Sequence, residues 1–199
     1  MASKGLKLYL KYPICYKITI HTQTAINVYG KTGRLMIAFG VGSHPLAYTE
    51  KEIHMLKGIS PMLSPELLKI LCEMGHSDTI VIADGNFPAE TMGKSGIVLR
   101  MDGHGVPEIL EAILQVFPLD QYVEKPVSLM ERVPGDNADV SIWKTYEKMI
   151  EKEEPRGVSV IRKLERFDFY EEAKKAYCVI ATSETSQYAN VILQKGCVL

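Results

Sequence analysis

The 199-residue chain has a length that suits one domain with an appendage, and its 46% hydrophobic and 24% charged residues are ordinary for a globular protein. Its formal net charge of -1 gives no reason to expect nucleic acid as a partner. No apolar run reaches the ~18 residues that a membrane helix needs, so we expect no membrane span.

The start of the chain has a composition of its own. Residues 1–49 contain six Lys and Arg residues but no Asp or Glu. Lys11, Pro13 and Lys17 interrupt the apolar run that a secretory signal requires, and a β-rich stretch with a single Arg does not suit a transit peptide. The four cysteines of the chain show no CxxC spacing and indicate buried thiols in a reducing compartment. We therefore expect a cytoplasmic protein.

The clearest local signals lie between residues 64 and 90. Ser64 followed by Pro65 predicts a helix start, because a serine side chain can satisfy a free backbone N–H and proline fits the first helical position. Apolar residues at helical spacing continue to residue 74, and Gly75 predicts a left-handed stop. The β-branched run at 79–83 then predicts a buried strand.

The remaining elements alternate between strand and helix. A capping-box spacing places Asp168 at the start of the last helix, which runs to about residue 176. Further helices are predicted at 107–117 and 139–152, and further strands at 97–101, 127–133, 158–161, 177–182 and 188–194. This alternation predicts an α/β fold in which helices cover a sheet.

Two ionisable residues, His76 and Asp84, flank the strand at 79–83. An imidazole ordinarily titrates near pH ~6.5, so His76 is a candidate for acid/base chemistry, although it could instead satisfy the last carbonyls of the preceding helix. Asp84 follows a strand, where α/β folds bind ligands, but it could also be a plain turn residue. The extended chain between them spans about 26 Å, so either the chain bends back or the site is completed between subunits.

Metal chemistry has little support in the sequence. The five histidines are scattered and form no HExxH or similar pairing. We therefore predict no metal site.

Five sequence blocks occur in order over residues 55–199: MLKGISPMLSPELLKILCEMGHSDTIVIADGNFPA, IVLRMDGHG, VFPLDQYV, KLERFDFYEEAKKAYCVIATSET and QYANVILQKG. In these blocks the chain resembles the fucose mutarotase family, which is related to the ribose pyranases of the same fold. The resemblance implies a single family domain at 55–199. Family members begin near Met55, so residues 1–54 are expected to be an extension outside the family core.

The resemblance also implies site residues. It assigns proton donation to His76 and sugar binding to Asp84, Arg166, Tyr188 and Asn190. For the fucose enzymes of animals it further implies Asp120 as a substrate-binding residue and Tyr170 as a catalytic one. Each has a structural alternative: Arg166 could pair with Asp168 or Glu171, Tyr188 and Asn190 could mark a strand entry, Asp120 could be a turn residue and Tyr170 an aromatic before a helix.

The activity implied by the resemblance is the interconversion of the α and β anomers of L-fucose without a cofactor, in a ring-shaped homo-oligomer for which a decamer is one candidate. Arg166 matches the fucose branch, where ribose pyranases have His. Ala189 instead matches the ribose branch, and Ser183 replaces the usual glycine. A ribose pyranase-type mutarotase and a non-catalytic monosaccharide-binding module are therefore the alternatives.

Overall fold

The computed structural model describes residues 56–198 and the backbone of two short strands nearer the start of the chain. The chain divides into two compact units, Met1–Glu52 and Ile53–Leu199. In the first unit, β1 (Val28–Tyr29) pairs antiparallel with β2 (Met36–Ile37). The other expectations for residues 1–54 lie outside the described part, and the division of the chain at residue 54 stays a prediction.

The second unit contains a six-stranded sheet and five α-helices. The strands are β3 (Thr79–Ala83), β4 (Ile97–Met101), β5 (Val127–Met130), β6 (Ile161–Leu164), β7 (Cys178–Thr182) and β8 (Val191–Gln194). The helices are α1 (Pro65–Glu73), α2 (Ala89–Met92), α3 (Val106–Leu114), α4 (Ile142–Glu153) and α5 (Arg166–Ala173). The strand order is β4-β7-β3-β8-β5-β6, so the predicted α/β fold is confirmed.

The directions of the strands bring most of their carboxyl ends to the same edge of the sheet. β8 is antiparallel to both of its neighbours, β3 and β5, whereas the pairs β3·β7, β4·β7 and β5·β6 are parallel. Five strands therefore point the same way. Their carboxyl ends, together with the start of β8, form one edge of the sheet, where α/β folds bind ligands.

Helices cover both faces of this sheet. Ile80 and Ile82 of β3 pack in one core with apolar residues of α1, α3 and α4. Val81 and Ala83 point the other way and pack in a second core with residues of α2 and α5. Because side chains alternate across a strand, a strand buried on both faces needs the continuous apolar run that β3 has.

The predicted start of α1 is confirmed, but its predicted stop is wrong in detail. Ser64 Oγ accepts a hydrogen bond from the Leu67 N–H at 3.2 Å. The left-handed residue in the following turn is Ser77, with φ of 71°, and not Gly75. The N–H of Gly75 instead donates to the Asp78 carboxylate at 2.6 Å, and this side-chain contact shapes the turn.

Three later predictions need correction. A 3-10 helix occupies Gly157–Val160, where a strand was predicted, because Gly157 turns the chain with φ of 60° and β6 starts only afterwards. The cap of α5 is Glu165, whose carboxylate accepts from the Phe167 N–H at 2.6 Å, so Asp168 lies inside the helix. Tyr188 has φ of 57°, which delays the start of β8.

The cysteines were predicted as buried thiols; Cys15 lies outside the described residues, and of the other three only Cys178 is buried. Burial raises the pKa of its thiol to about 12. Cys72 is exposed, because it lies on the outer side of α1, and Cys197 is half-buried. None of the described helices has the length and apolar character to cross a membrane.

Candidate active site

An open pocket of about 300 Å³ lies at the carboxyl edge of the sheet. Loops and ends of β3, β5, α5 and β8 bring its wall together. The residues that line it are Asp84, Asn86, Phe87, Met130, Arg166, Tyr170, Gln187, Tyr188 and Asn190. Five of the seven predicted site residues are in this list.

Asp84 and Asn190 form a buried pair at the bottom of the pocket. Asn190 Oδ1 accepts from the Asp84 N–H at 2.9 Å, and Asn190 Nδ2 donates to Asp84 Oδ2 at 2.8 Å. Burial raises the pKa of the Asp84 carboxyl, although hydrogen bonds from the Asn86 backbone and the Asn190 side chain oppose this shift. A carboxylate held in this way can accept hydrogen bonds from ligand hydroxyls.

Arg166 provides donors on another side of the same pocket. Its guanidinium lies 4.7 Å above the Phe167 ring, and its buried Nε has no hydrogen-bond partner within residues 56–198. In that part of the chain it forms no ion pair with Asp168 or Glu171, and Glu171 pairs instead with Lys174. A buried donor without a partner is costly, so this N–H is suited to an acceptor on a bound ligand.

Two tyrosines complete the wall. Tyr170 packs edge-on against Phe87, with ring centroids 5.6 Å apart. The Tyr188 hydroxyl donates to Asp136 Oδ2 at 2.5 Å, which lowers the pKa of the Asp136 carboxyl and raises that of the Tyr188 phenol. The Tyr188 ring is therefore fixed by a loop outside the pocket.

Helix α4 stabilises the segment around Tyr188, whose backbone is left-handed. Trp143 Nε1 donates to the Tyr188 carbonyl at 2.9 Å, and the Tyr146 hydroxyl donates to the Ala189 carbonyl at 2.8 Å. A left-handed non-glycine residue costs on the order of 1–3 kcal/mol and persists only where its surroundings enforce it. These two donors lie three residues apart, on one face of the helix, and stabilise that backbone directly before Asn190.

His76 and Asp120 lie together at the opposite edge of the sheet. His76 Nε2 is 3.1 Å from Asp120 Oδ2, and the His76 side chain remains 44% exposed. Asp120 is fully buried and accepts from the Tyr122 N–H at 2.9 Å and from Gln194 Nε2 at 3.2 Å. The Tyr122 ring packs edge-on against the imidazole.

Lys195, which the sequence did not indicate as a functional residue, takes the role that one interpretation gave to His76, namely satisfying the last carbonyls of α1. Lys195 Nζ donates to the carbonyls of Leu71 and Met74, each at 2.6 Å. The end of α1 is thus satisfied by a lysine, and His76 does not fill that role. The block QYANVILQKG contained Lys195, but only the pairing of β8 with β3 brings it to the end of α1.

The seven predicted residues therefore form two groups within one chain. His76 and Asp120 lie at the amino end of β3, whereas Asp84, Arg166, Tyr170, Tyr188 and Asn190 lie around its carboxyl end. The intervening strand alone spans roughly 15 Å at 3.3 Å per residue. The chain does not bend back after Asp84 to join the groups.

The fold and the pocket define an α/β protein with an open pocket that presents hydrogen-bond acceptors and donors at the carboxyl ends of its strands. Within residues 56–198, no cluster of three His, Cys, Asp or Glu side chains is placed to hold a metal ion. The RbsD / FucU transport protein family model matches residues 57–198, and the chain belongs to this family.

Similarity to known proteins extends over the same residues. The human protein named fucose mutarotase is 48% identical over 145 residues, which are 71% of this chain and 93% of that protein. The crystal structure of FucU from Bifidobacterium longum has a TM-score of 0.70 and 63% identity, covering 72% of this chain and 100% of that one. The fucose mutarotase from Streptococcus pneumoniae, solved in complex with L-fucose, has a TM-score of 0.68 and 48% identity, with the same coverage.

Proposed function

We propose that this protein is an L-fucose mutarotase, an isomerase that interconverts the α and β anomers of L-fucose. The human relative and the Streptococcus pneumoniae relative that binds L-fucose support this activity. The observation that carries the proposal is the pocket in which Asp84, Asn190 and Arg166 present acceptors and donors to one small volume. A monosaccharide needs this mixture, because each unmatched buried polar group costs ~1–3 kcal/mol.

The reaction consists of proton transfers. The bond between the anomeric carbon and the ring oxygen breaks, the ring oxygen takes a proton, and the anomeric hydroxyl loses one to give the open aldehyde. Reclosure on the other face gives the second anomer. No electrons or groups are transferred, so the proposal includes no cofactor. Positioned acid and base groups accelerate such steps by ~10²–10⁴-fold each.

The site residues have distinct roles in this proposal. His76 and Tyr170 exchange protons with the sugar. Asp84, Asp120, Arg166, Tyr188 and Asn190 bind its hydroxyls, and the ring faces of the tyrosines pack against its apolar side.

The protein is proposed to act as a homo-oligomer in which two copies complete each site. The two groups of residues lie at opposite edges of one sheet, which supports a site made from the pocket of one copy and His76 of a neighbour. Such a head-to-tail contact forms a ring when the rotation between neighbouring copies closes, and a decameric ring is the candidate that the resemblance implies. It also removes the need for one sugar to span the length of β3.

Exchange between anomers tests the activity directly. Saturation-transfer NMR on L-fucose with the full chain should show transfer between the α and β signals. H76Q should slow exchange by ~10²–10⁴-fold while an L-fucose titration still shows binding. The matched control is H104Q, because His104 lies outside both groups and pairs with Glu108. Equal exchange in wild type and H76Q would contradict the proposed role of His76.

Two alternatives give different results in the same experiment. A ribose pyranase-type mutarotase would exchange the forms of D-ribose faster than those of L-fucose. Arg166 supports the fucose branch, because the resemblance places His at this position in ribose pyranases. A non-catalytic monosaccharide-binding module would bind the sugar without any exchange above the spontaneous rate.

A cytoplasmic location completes the proposal. The described cysteines are free thiols, which is the usual state in reducing compartments. Residues 1–54 are proposed to be an extension that the reaction does not require, because the family match begins at residue 57.

A further inference from the structure

In addition to His76, two hydrogen-bond donors within residues 56–198 contact the Asp120 carboxylate. Its Oδ1 accepts from the Tyr122 N–H and its Oδ2 from the Gln194 side-chain amide. Arg156 Nη2 donates to the Asp120 carbonyl at 2.9 Å, so the backbone of this residue is also fixed. A fully buried carboxylate with these neighbours acts as an acceptor.

The partner of this acceptor must carry a proton on the facing atom. His76 Nε2 is the atom 3.1 Å from Asp120 Oδ2, so the neutral imidazole has its hydrogen on Nε2 and a free lone pair on Nδ1. Within residues 56–198, no hydrogen bond involves Nδ1. Tyr122 packs edge-on against the ring at 5.5 Å and restricts its rotation.

We infer that Asp120, beyond its proposed place among the sugar-binding residues, is a positioning residue that holds His76 in the Nε2–H tautomer, so that Nδ1 is the atom that exchanges protons with the sugar. This inference rests on the proposed function. When the anomeric C–O–H loses its proton, Nδ1 takes it. The bond from the anomeric carbon to the ring oxygen breaks, and the ring oxygen takes a proton from the Tyr170 hydroxyl. Asp120 then faces an imidazolium, whose charge it stabilises. Reclosure reverses both transfers, so His76 is the proton donor to the anomeric oxygen in that half of the reaction.

The variant D120N tests the assignment because it preserves shape and replaces the acceptor Oδ2 by a donor. The Gln194 side-chain amide, which donates to Oδ2 in wild type, can turn its own oxygen towards that new donor. The side-chain oxygen of D120N can still accept from the Tyr122 N–H, and its amide then donates towards His76 Nε2. That contact requires a lone pair on Nε2 and moves the hydrogen to Nδ1. D102N is the matched control, because Asp102 is exposed and pairs with Arg100 at 2.7 Å, away from His76.

The tautomer is read from long-range ¹H–¹⁵N correlation spectra of the full chain at alkaline pH, with the His76 signals assigned by their loss in H76Q. Wild type and D102N should show the hydrogen on Nε2, and D120N should shift the population towards Nδ1–H. A wild type with the hydrogen on Nδ1, or a D120N tautomer equal to that of wild type, would overturn the inference. The wild-type result stands even if D120N does not fold.

Anomer exchange adds a second readout. D120N should lower kcat by ~10²–10⁴-fold with a smaller change in KM, whereas a loss confined to KM would make Asp120 only a sugar-binding residue and overturn the inference. The two proposals fail separately. An unchanged tautomer in an active enzyme refutes the role of Asp120 alone, whereas an Asp120-dependent tautomer in a protein that does not exchange L-fucose refutes the function alone.

Discussion

Arg166 combines a charge with a donor that has no partner within the described residues. Because its Nε is buried and its fork faces the pocket, we expect R166K to lose directional hydrogen bonds while it keeps the charge. KM for L-fucose should rise by about 10–100-fold, which corresponds to ~1–3 kcal/mol. The matched control is R132K, because Arg132 donates to the Ala138 carbonyl and does not line the pocket. Saturation-transfer NMR at several sugar concentrations measures both variants, and equal KM values would contradict this role.

Asp84 makes the stability of the protein depend on pH in a defined direction. Burial raises the pKa of its carboxyl in the folded state, so the folded chain holds this proton to higher pH than the unfolded chain. The contribution of Asp84 to the free energy of unfolding should therefore fall as the pH rises from the ordinary aspartate pKa of about 3.9 through the raised value.

Chemical denaturation of wild type and D84N across this pH range checks the sign. D84N does not titrate at this position, so wild type should lose stability relative to D84N as the pH rises. D102N is again a control, because the hydrogen bond to Arg100 lowers the pKa of the Asp102 carboxyl. The contribution of Asp102 to the free energy of unfolding should therefore rise with pH, opposite to that of Asp84. A wild type that gains stability relative to D84N would contradict the raised pKa.

At the scale of the element, α4 stabilises the loop that precedes β8. Y146F removes the hydroxyl that donates to the Ala189 carbonyl and leaves that buried acceptor without this donor. We expect a loss of ~1–3 kcal/mol in the free energy of unfolding. In Y177F the lost contact is a 3.4 Å hydrogen bond to Glu73 at the surface, so its loss should be smaller. Urea unfolding of both variants makes the comparison, and equal losses would argue against a specific role for Tyr146.

At the scale of the whole molecule, mixing two inactive variants tests whether copies share a site. H76Q removes the proposed acid/base residue of one group, and N190A removes a proposed sugar-binding residue of the other. Each variant alone should therefore be inactive. When unfolded chains are mixed equally and refolded together, random assortment should restore about one quarter of the sites if neighbours complete them. No recovery in the mixture, with normal assembly by size-exclusion chromatography, would contradict the shared site.

The extension makes a separate prediction for the whole molecule. The Bifidobacterium longum structure is covered completely by 72% of this chain, which supports the prediction that residues 1–54 lie outside the family domain. A chain that begins at Met55 should exchange the anomers of L-fucose at a rate within a factor of about two of the full chain, because the site residues all follow that position. An inactive shorter chain would show that the extension contributes to the site or to assembly.

The sequence by itself determined most of the elements, the α/β fold class and the placement of His76 and Asp84 at the two ends of one strand. These features depend on short-range signals, such as the Ser64 cap and the apolar run of β3, which act within a few residues. Its resemblance to a known family supplied the site residues, but their contacts depend on how the strands pair. Only the tertiary structure decided that Lys195 satisfies the end of α1, that Asp120 faces His76 and that α4 supports Tyr188. The bonded residues are separated by 121 positions for Lys195 and Met74, and by 44 for Asp120 and His76, so no local pattern encodes these contacts.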